Sequence, residues 1–467
     1  MKYIFYNLEN IIQPLNLKNN FYQPTKYDCL FKFKENDYEQ KSLLTGQYAN
    51  IIKYQNKLSL FYQIHTGKTL KTFDDAGIGY CNFKNNKFNR VVSNKFKYNK
   101  KPTNIILMDG VSMHNFHVFI DLNPHCKKDE KWKAIGGYHI GPGYHKNCRC
   151  SNNKHKTHEY YQSCWPKKKT LIFDDKFEHK CRGNGLYIYK SNNGIDWNLF
   201  HNKPVISMLT ECKDLNHGSG PHFDTMPSIF FDENIGKYVL YTRANIKLGC
   251  RHCVFSESDD LINWTIPKLI KINPKFDSNH PIYGGDNYYY LNAFQYPGTK
   301  KYIAFPSFFK NKILKPDGSK RAYFDECTSI LISNDRENWK SVNKIFKYKN
   351  NKGHMTGPHI LGFISDNKSF YFYVQEKFMT ENNTLYMYKT RLDGLFSITN
   401  TGNDVGKFSI KTNKKKIFLN YKINKNGFIL INNIKLDKGD EISKEITCNS
   451  DILNFQILNA EIFSICD

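Results

Sequence analysis

Four acidic residues stand directly before apolar segments of the sequence rather than inside polar turns. Asp224 precedes TMPSIFF and Asp286 precedes NYYYL. Asp325 and Glu326 are adjacent and precede CTSILI. Two carboxyl groups brought together can divide acid–base work, because one can hold a proton while the other stays ionised. These four residues are the candidate catalytic groups if the fold brings their segments to one place.

Two further acids and the basic residues have other interpretations. Asp121 in FIDLNP and Asp232 in FFDENIG lie in turns, where Asp bonds its own backbone, so both are assigned to structure. Arg243 ends the segment KYVLYTR. It can bind a substrate carboxylate or tune the pKa of an acid, or else form an ion pair between neighbouring units. His354 and His359 flank MTGP, and His354 can line a binding site or be an ordinary loop histidine.

The segment from residue 139 to residue 181 is unusually rich in Cys and His. It contains His139, His145, Cys148, Cys150, His155, His158, Cys164, His179 and Cys181. Such a density can indicate zinc, but Cys148 and Cys150 have a Cys-x-Cys spacing and no matching second pair follows. Disulfides are a second alternative, and a solvent-facing basic loop is the favoured interpretation. Cys250 and Cys253 also lack a partner pair and are interpreted as core or loop residues. No metal and no cofactor is expected.

One motif recurs three times with fixed internal spacing. It occurs as SNNGIDW at 191–197, SDDLINW at 258–264 and SNDRENW at 333–339. Each copy follows an alternating apolar segment, which predicts a strand, a polar turn and a second strand that carries an inward Trp. A weaker relative without the Trp, TRLDGLFSI, starts at Thr390.

Five apolar strand pairs also recur along the chain. They begin at Asn50, Phe116, Ser228, Leu291 and His359. Each is followed by a strand–turn–strand element, which is degenerate after the first pair. Helical periodicity is nearly absent. Five units of about four strands predict an all-β fold with a five-bladed β-propeller.

The propeller is predicted over residues 46–400, with the Cys/His-rich insertion at 139–181. After residue 400 come short alternating strands without the Trp motif, so residues 401–467 are predicted to form a small C-terminal β-sandwich module. Residues 1–45 are predicted to be an N-terminal extension that packs on the propeller or on the sandwich.

The chain of 467 residues is strongly basic, with 68 Lys and Arg against 43 Asp and Glu, a net charge of +25. A polyanion partner is conceivable, but the charge is spread along the chain without a continuous basic stripe, so nucleic acid is not the expected partner. No apolar run approaches the ~20 residues of a membrane span. No signal peptide is evident, and the 13 cysteines are expected to be mostly reduced. The expected location is cytoplasmic or virion-associated, since the Asn/Lys-rich composition suits a large DNA virus or an AT-rich protist.

These features resemble the five-bladed β-propeller glycoside hydrolases, the fold shared by families 32, 43, 62 and 68, and an uncharacterised branch of them most of all. The recurring turn resembles that branch's Ser-x-Asp-Gly-x-x-Trp signature, with Asn-Gly only at Asn193-Gly194. FDTMPSIFFDENIGKYVLYTR resembles its central strand pair, and NFHVFIDLNP with KWKAIG resembles its second blade. FQILNAEIFSI resembles its closing sandwich strand. The likeness covers residues from about 46 to 467.

The resemblance implies a glycosidase whose carboxylates lie where the innermost strands begin, around a central funnel. Asp224 with one of Asp286, Asp325 or Glu326 would supply the acid for the leaving oxygen and the nucleophile or base. A separation of about 5–5.5 Å between the two carboxyl groups would imply retention of configuration, and about 6.5–9.5 Å would imply inversion.

The sequence departs from the characterised families in the first blade. They place an essential Asp before its inner strand, whereas this chain has TGQYANII from Thr45. Glu211-Cys212 lies in a loop and does not match the Glu-Cys pair of the fructan-cleaving members. A second function class therefore stays open, a carbohydrate-binding propeller without turnover, in which Tyr288 and its two neighbours stack on sugar faces. A third is a basic propeller that binds nucleic acid or another polyanion.

Overall fold

The computed structural model describes residues 2–9, 11–40, 42–65, 76–109, 113, 115–138, 162–163, 182–183, 185–207, 225–246, 250–273, 286–313, 321–347 and 357–467. These residues form an all-β structure whose sheets are arranged as in a propeller. Within these ranges there is no α-helix, and a 3-10 turn covers Lys128–Glu130. No helix of the described part is long and apolar enough to cross a membrane. The predicted all-β fold is confirmed.

Five mostly antiparallel sheets follow one another along the chain, and they are numbered here from first to fifth. The first contains β5 (Asn50–Tyr54), β6 (Lys57–His65), β7 (Ala76–Lys84), β8 (Lys87–Arg90) and β11 (Ile105–Leu107). The second contains β12 (His117–Ile120), β13 (Trp132–Tyr138), β16 (Gly185–Ser191), β17 (Asn198–Leu199) and β18 (Ile206–Ser207). The third contains β19 (Ser228–Asp232), β20 (Lys237–Ile246), β21 (Cys250–Ser258) and β22 (Lys268–Leu269).

The fourth sheet is the largest of the five. It contains β23 (Lys271–Asn273), β24 (Asp286–Tyr290), β25 (Ala293–Gln295), β26 (Tyr302–Ala304), β27 (Ser307–Ile313), β28 (Arg321–Ser333) and β29 (Asn338–Lys347). The fifth contains β30 (His359–Ser365), β31 (Ser369–Glu376), β32 (Thr384–Arg391) and, from the N-terminal part of the chain, β4 (Thr25–Lys32). Because β4 pairs with β32, an early strand completes the last of the five sheets.

The remaining strands form one nine-stranded sheet and two short ribbons. The nine strands are β1 (Lys2–Ile4), β2 (Ile12–Leu15), β3 (Leu17–Phe21), β33 (Phe396–Asn400), β34 (Gly406–Lys411), β35 (Lys416–Ile431), β36 (Ile434–Leu436), β37 (Asp440–Thr447) and β38 (Ile452–Cys466). The ribbons pair β9 (Ser93–Tyr98) with β10 (Lys101–Thr103), and β14 (Gln162–Ser163) with β15 (Arg182–Gly183). The nine-stranded sheet has its own apolar core, which includes Phe408, Leu419, Phe455 and Ile462.

One strand of each of the five sheets lines a central channel of about 340 Å³, and these inner strands are β5, β12, β19, β25 and β30. Short polar side chains tie each of these strands to the next one around the channel. The donors and acceptors are Asn50 Nδ2 to Val118 O (2.7 Å), Asn115 Nδ2 to Thr225 O (2.8 Å), Ser228 Oγ to Ala293 O (2.9 Å) and Asn292 Nδ2 to Ile360 O (2.5 Å). Gln375 Nε2 donates to Gly46 O at 2.9 Å and links the fifth sheet back to the first. Each bond satisfies a buried carbonyl, so the strands are held in a fixed order around the channel.

The three copies of the Trp motif fold into the same turn, and we call 191–197, 258–264 and 333–339 the Trp turns. In the third copy, Ser333 Oγ accepts from the backbone N–H of Asp335 and Arg336, and Asp335 Oδ1 accepts from two N–H groups further on. Trp339 Nε1 donates to Arg336 O at 2.7 Å. The first two copies make the corresponding bonds. The fourth residue of each turn has a positive φ of 67–76°, which Gly194 adopts without strain.

The two acids assigned to structure do lie in turns of this frame. Asp121 Oδ1 accepts from the backbone N–H of Asn123, two residues on, and Asp232 Oδ1 does the same with Asn234. Each carboxylate also accepts from a tyrosine hydroxyl of the following sheet, Asp121 from Tyr238 at 3.0 Å and Asp232 from Tyr302. Both carboxylates therefore join neighbouring sheets at the end of the channel opposite to the beginnings of the inner strands.

Candidate functional site

The beginnings of the inner strands enclose a small cavity of about 30 Å³, which we call the funnel cavity. This volume holds one or two water molecules. Its wall is formed by aromatic rings, amides, one imidazole and apolar side chains from several sheets. The lining residues are Gln47, Tyr48, Met226, Tyr289, Tyr290, His359, Leu361, Gln375 and Phe378.

The loop before the first inner strand is shaped by Gly46 and held by the fifth sheet. Gly46 has φ +90°, and a Cβ at this position would lie 2.7 Å from Asn383 Nδ2. Gln375 Nε2 donates to Asn383 Oδ1 at 2.9 Å as well as to Gly46 O, and Asn383 Nδ2 donates to Thr45 O at 3.0 Å. These bonds fix the loop that presents Gln47 to the cavity.

Tyr290 and His359 form a hydrogen-bonded pair in the cavity wall. The Tyr290 hydroxyl lies 2.6 Å from His359 Nδ1, and the two side chains belong to the fourth and fifth sheets. Both residues are more than nine-tenths buried. A phenol and an imidazole at this distance can share and move a proton, so the pair can orient or protonate a group of a bound ligand.

Two arginines from the third sheet converge on Tyr289. The guanidinium carbons of Arg243 and Arg251 lie 5.2 and 5.3 Å from the centroid of the Tyr289 ring. Arg251 also lies 5.7 Å from the Phe309 ring, and its backbone N–H donates to Asn287 Oδ1 at 2.9 Å. Positive charge over aromatic faces is attracted by the ring quadrupole, so these rings hold the two cations beside the cavity.

The predicted catalytic acids are only partly within the described structure. Asp224 lies outside the described residues, as does His354. The backbone of Asp286 begins β24 and is paired with Lys310, which on its other side is paired with Phe324, the residue before Asp325. Adjacent strands lie about 4.8 Å apart, so the backbones of Asp286 and of the Asp325–Glu326 pair are about two strand spacings apart. Among the described residues that line the cavity, none is Asp or Glu.

Arg243 and Tyr288 are both placed by the structure, but in different environments. Arg243 is 2% exposed and lies beside the cavity. Tyr288 is 2% exposed and packs in the core between the third and fourth sheets, with its ring 5.5 Å from that of Phe308. The two tyrosines that were named with it from the sequence, Tyr289 and Tyr290, line the cavity.

Three residues of the site or its surroundings had no functional role assigned from the sequence, namely Gln47, His359 and Arg251, although His359 was noted together with His354. The first two stand at or just before the beginning of an inner strand, which is the position that singled out the acids. Extending that search to amides and imidazoles would have found them. Arg251 lies between the two cysteines of Cys250-x2-Cys253, which drew attention to the thiols. Cys253 is buried, and burial raises the pKa of its thiol to about 12, so it is a protonated core residue.

Most of the Cys/His-rich insertion falls outside the described residues, and so do all nine of its Cys and His side chains. Among the residues that the structure does describe, no group of His, Cys, Asp or Glu could hold a metal ion. None of the cysteines with described side chains forms a disulfide bond; they are Cys29, Cys81, Cys126, Cys253, Cys327, Cys448 and Cys466.

No protein-family model and no curated protein sequence matches this chain significantly. In fold, the chain resembles solved β-propeller glycoside hydrolases. A structure described as a glycoside hydrolase is 13% identical, with 79% of this chain and 92% of that chain covered and a TM-score of 0.44. A family 117 glycoside hydrolase produced by the marine bacterium Zobellia galactanivorans is 11% identical (80% and 92% covered, TM-score 0.40). An α-L-arabinanase from Penicillium chrysogenum, complexed with arabinobiose, is 10% identical (80% and 99% covered, TM-score 0.37).

Proposed function

We propose that this protein is a glycoside hydrolase that acts on an oligosaccharide or glycan at the mouth of the funnel cavity. The observation that carries the proposal is the composition of the cavity wall. Tyr48, Tyr289, Tyr290 and Phe378 supply rings, and Gln47, Gln375 and His359 supply hydrogen-bonding groups. A small number of polar groups among aromatic rings is the typical lining of a small-molecule site. Sugars offer an apolar ring face and hydroxyl groups at its edge, so this lining suits them.

In this proposal the reaction is carried by two of the four acids named from the sequence. Asp286 and the Asp325–Glu326 pair belong to strands of the same sheet, and Tyr289 and Tyr290 follow Asp286 along β24 into the cavity wall. Asp224 directly precedes Thr225 and Met226, and Met226 also lines the cavity. One carboxyl group would protonate the leaving oxygen, and the other would act as nucleophile or as base for water. The Tyr290–His359 pair would position the sugar.

The finer architecture is part of the same proposal. The five sheets are the blades of a five-bladed propeller over residues 46–400, and residues 401–467 form the C-terminal β-sandwich module. Two observations support this division. The inner strands of all five sheets line one channel, and the nine-stranded sheet has a separate apolar core. Residues 1–45 serve both parts, since β4 pairs with β32 and β1 pairs with β38.

A hydrolysis screen tests the reaction. The protein would be incubated with aryl glycosides and with fructo-, arabino-, xylo- and manno-oligosaccharides, beside the variants Asp224→Asn, Asp286→Asn, Asp325→Asn and Glu326→Gln. Asp404→Asn, an exposed position outside the five sheets, is the matched control. We expect turnover by the wild type and the control, and a loss of about 10²–10⁴-fold in two of the four variants. Wild-type turnover that all four variants retain would contradict this assignment of the acids.

A carbohydrate-binding propeller without turnover is the second candidate. It is favoured by the first sheet, whose loop carries Gln47 and Tyr48 and no carboxylate. Binding on a glycan array without hydrolysis of any bound glycan would select this candidate. A basic propeller that binds nucleic acid or another polyanion would instead show binding to DNA or RNA that weakens steeply with salt.

A further inference from the structure

We infer that the sugar recognised at the funnel cavity carries an anionic group, a carboxylate or a sulfate ester, which Arg243 and Arg251 bind. The inference deepens the proposed function and rests on it. It comes from a pair of cations that the sheet geometry places together beside a ring of the cavity wall.

The pairing register of β20 and β21 places the two arginines on the same face of the third sheet. Arg243 is paired with Cys253, and Arg251 is paired with Asn245 on the neighbouring strand. Residues two apart along a strand point to the same face, so Arg243 and Arg251 are diagonal neighbours on one face of the sheet. That face is turned toward the fourth sheet, because both guanidinium groups lie within 5.3 Å of the Tyr289 ring centroid.

The surroundings of the two arginines are largely shielded from water. Arg243 is 2% exposed, and Arg251 is also packed against the rings of Tyr289 and Phe309. Interactions between charges are stronger where water is excluded, so an anionic group that contacts these guanidinium groups would be bound more strongly than one that contacts surface lysines. Guanidinium groups also match the geometry of carboxylate and sulfate oxygens through paired N–H donors.

Tyr289 lies between the two arginines and the proposed sugar site. Its ring contacts both guanidinium groups and is part of the cavity wall. A sugar ring held at the cavity would have a substituent within reach of the arginines, as in a uronic acid or a sulfated sugar. The net charge of +25 would speed the approach of such a polyanionic glycan.

Matched glycans test the inference. Binding would be measured for uronic acid oligosaccharides and their carboxyl-reduced forms, and for sulfated oligosaccharides and their desulfated forms. The two series distinguish a carboxylate from a sulfate ester as the recognised group. The variants are Arg251→Gln and Arg251→Lys, with Lys237→Gln as the control. Lys237 is on the same sheet at the far end of β20 and is 40% exposed, so its substitution removes one charge away from the cavity.

We expect the wild type to bind one acidic series about 10–100-fold more tightly than its neutral counterpart. Arg251→Gln should remove most of that preference, Arg251→Lys should retain part of it, and Lys237→Gln should leave it unchanged. Equal binding of acidic and neutral glycans by the wild type would overturn the inference while the proposed glycan function stands. A preference that survives in Arg251→Gln would also overturn it. Binding of no glycan in any series would contradict the proposed function itself.

Discussion

The two ends of the five sheets differ in how far their residues repeat. At one end the three Trp turns make the same hydrogen bonds. In each of them a serine hydroxyl and the side-chain oxygen of an Asn or Asp accept from backbone N–H groups, and the Trp indole N–H donates to a backbone carbonyl. At the other end the described lining of the funnel cavity comes from the first, third, fourth and fifth sheets, and each of these contributes different residues, among them Gln47, Met226, Tyr290 and His359. The repeated residues build the second, third and fourth sheets in the same way. The residues differ from sheet to sheet at the end where the proposed ligand would be contacted from several sides.

Variants at the two ends of the sheets should therefore have different effects. A change in a Trp turn should lower the free energy of unfolding and alter ligand binding only through loss of folded protein. A change in the cavity wall should alter ligand binding and have little effect on unfolding.

Trp339→Ala is expected to have the largest effect on stability. Trp339 is 2% exposed, packs against Tyr241 and donates its indole N–H to Arg336 O. Removing a buried indole leaves a cavity and an unpaired carbonyl, so we expect the free energy of unfolding to fall by about 3–5 kcal/mol. Urea denaturation measures it. Trp264 is the half-buried equivalent in the second Trp turn, and Trp264→Ala should lower the free energy of unfolding by about half as much. Equal losses in the two variants would contradict the role of burial.

Acid should lower the stability of the folded protein through His117, a residue of the channel wall. Burial lowers the pKa of His117 to about 4, and its Nδ1 has no hydrogen-bond partner. Between pH 6.5 and 4 the unfolded chain binds a proton that the folded chain does not, so stability decreases as the pH falls through this window. The loss approaches about 3 kcal/mol near pH 4. Denaturant titrations of the wild type and His117→Asn would measure it. The same slope in both proteins would contradict the prediction, and exposed His125→Asn is the control.

Asp335, in the third Trp turn, should contribute less to the free energy of unfolding. Burial acts to raise the pKa of Asp335, but hydrogen bonds from Asn338 and the backbone N–H of Glu337 lower it more, so the pKa lies below its ordinary value. Asp335→Ala should cost about 1–2 kcal/mol at neutral pH, measured by thermal or urea unfolding. This contribution should decrease as the pH falls through the carboxyl pKa. Asp335→Asn should cost less, because Asn193 makes the same bonds in the first Trp turn. A larger cost for Asn than for Ala would refute this account of the turn.

Tyr290→Phe should have the smallest effect on stability, about 1 kcal/mol or less, because one hydrogen bond is lost and the ring is kept. Binding or turnover of the glycan should nevertheless fall, since His359 loses its hydrogen bond to the Tyr290 hydroxyl in the cavity wall. Calorimetry and binding measurements on one preparation would separate the two effects. A large loss of stability with unchanged ligand binding would place the Tyr290–His359 pair in the frame rather than in the site.

The sequence was informative where residues recur. The Trp turns, the five strand pairs and the turn acids Asp121 and Asp232 could be read from spacing, because local bonds and alternating burial leave a pattern in the chain. The pairing of β4 with β32 could not be read in this way. Its partners are about 350 residues apart, and nothing local to either strand specifies the other.

The cavity residues were harder to predict for two physical reasons. First, the pairing register shifts between Tyr288 and Tyr290, as at a β-bulge. Strict alternation fails there, so that Tyr289 and Tyr290 both reach the cavity while Tyr288 turns into the core. Second, Arg243 was recognised but its partner Arg251 was not, because their proximity follows from the register of β20 and β21 rather than from sequence spacing.

A structure of the protein with a bound oligosaccharide, chosen as the tightest ligand from the glycan screen, would show directly where the sugar binds. We expect the sugar to lie at the beginnings of the inner strands, in contact with Tyr289, Tyr290 or His359. A sugar bound on the nine-stranded sheet, or at the end of the channel that carries Asp121 and Asp232, would contradict it.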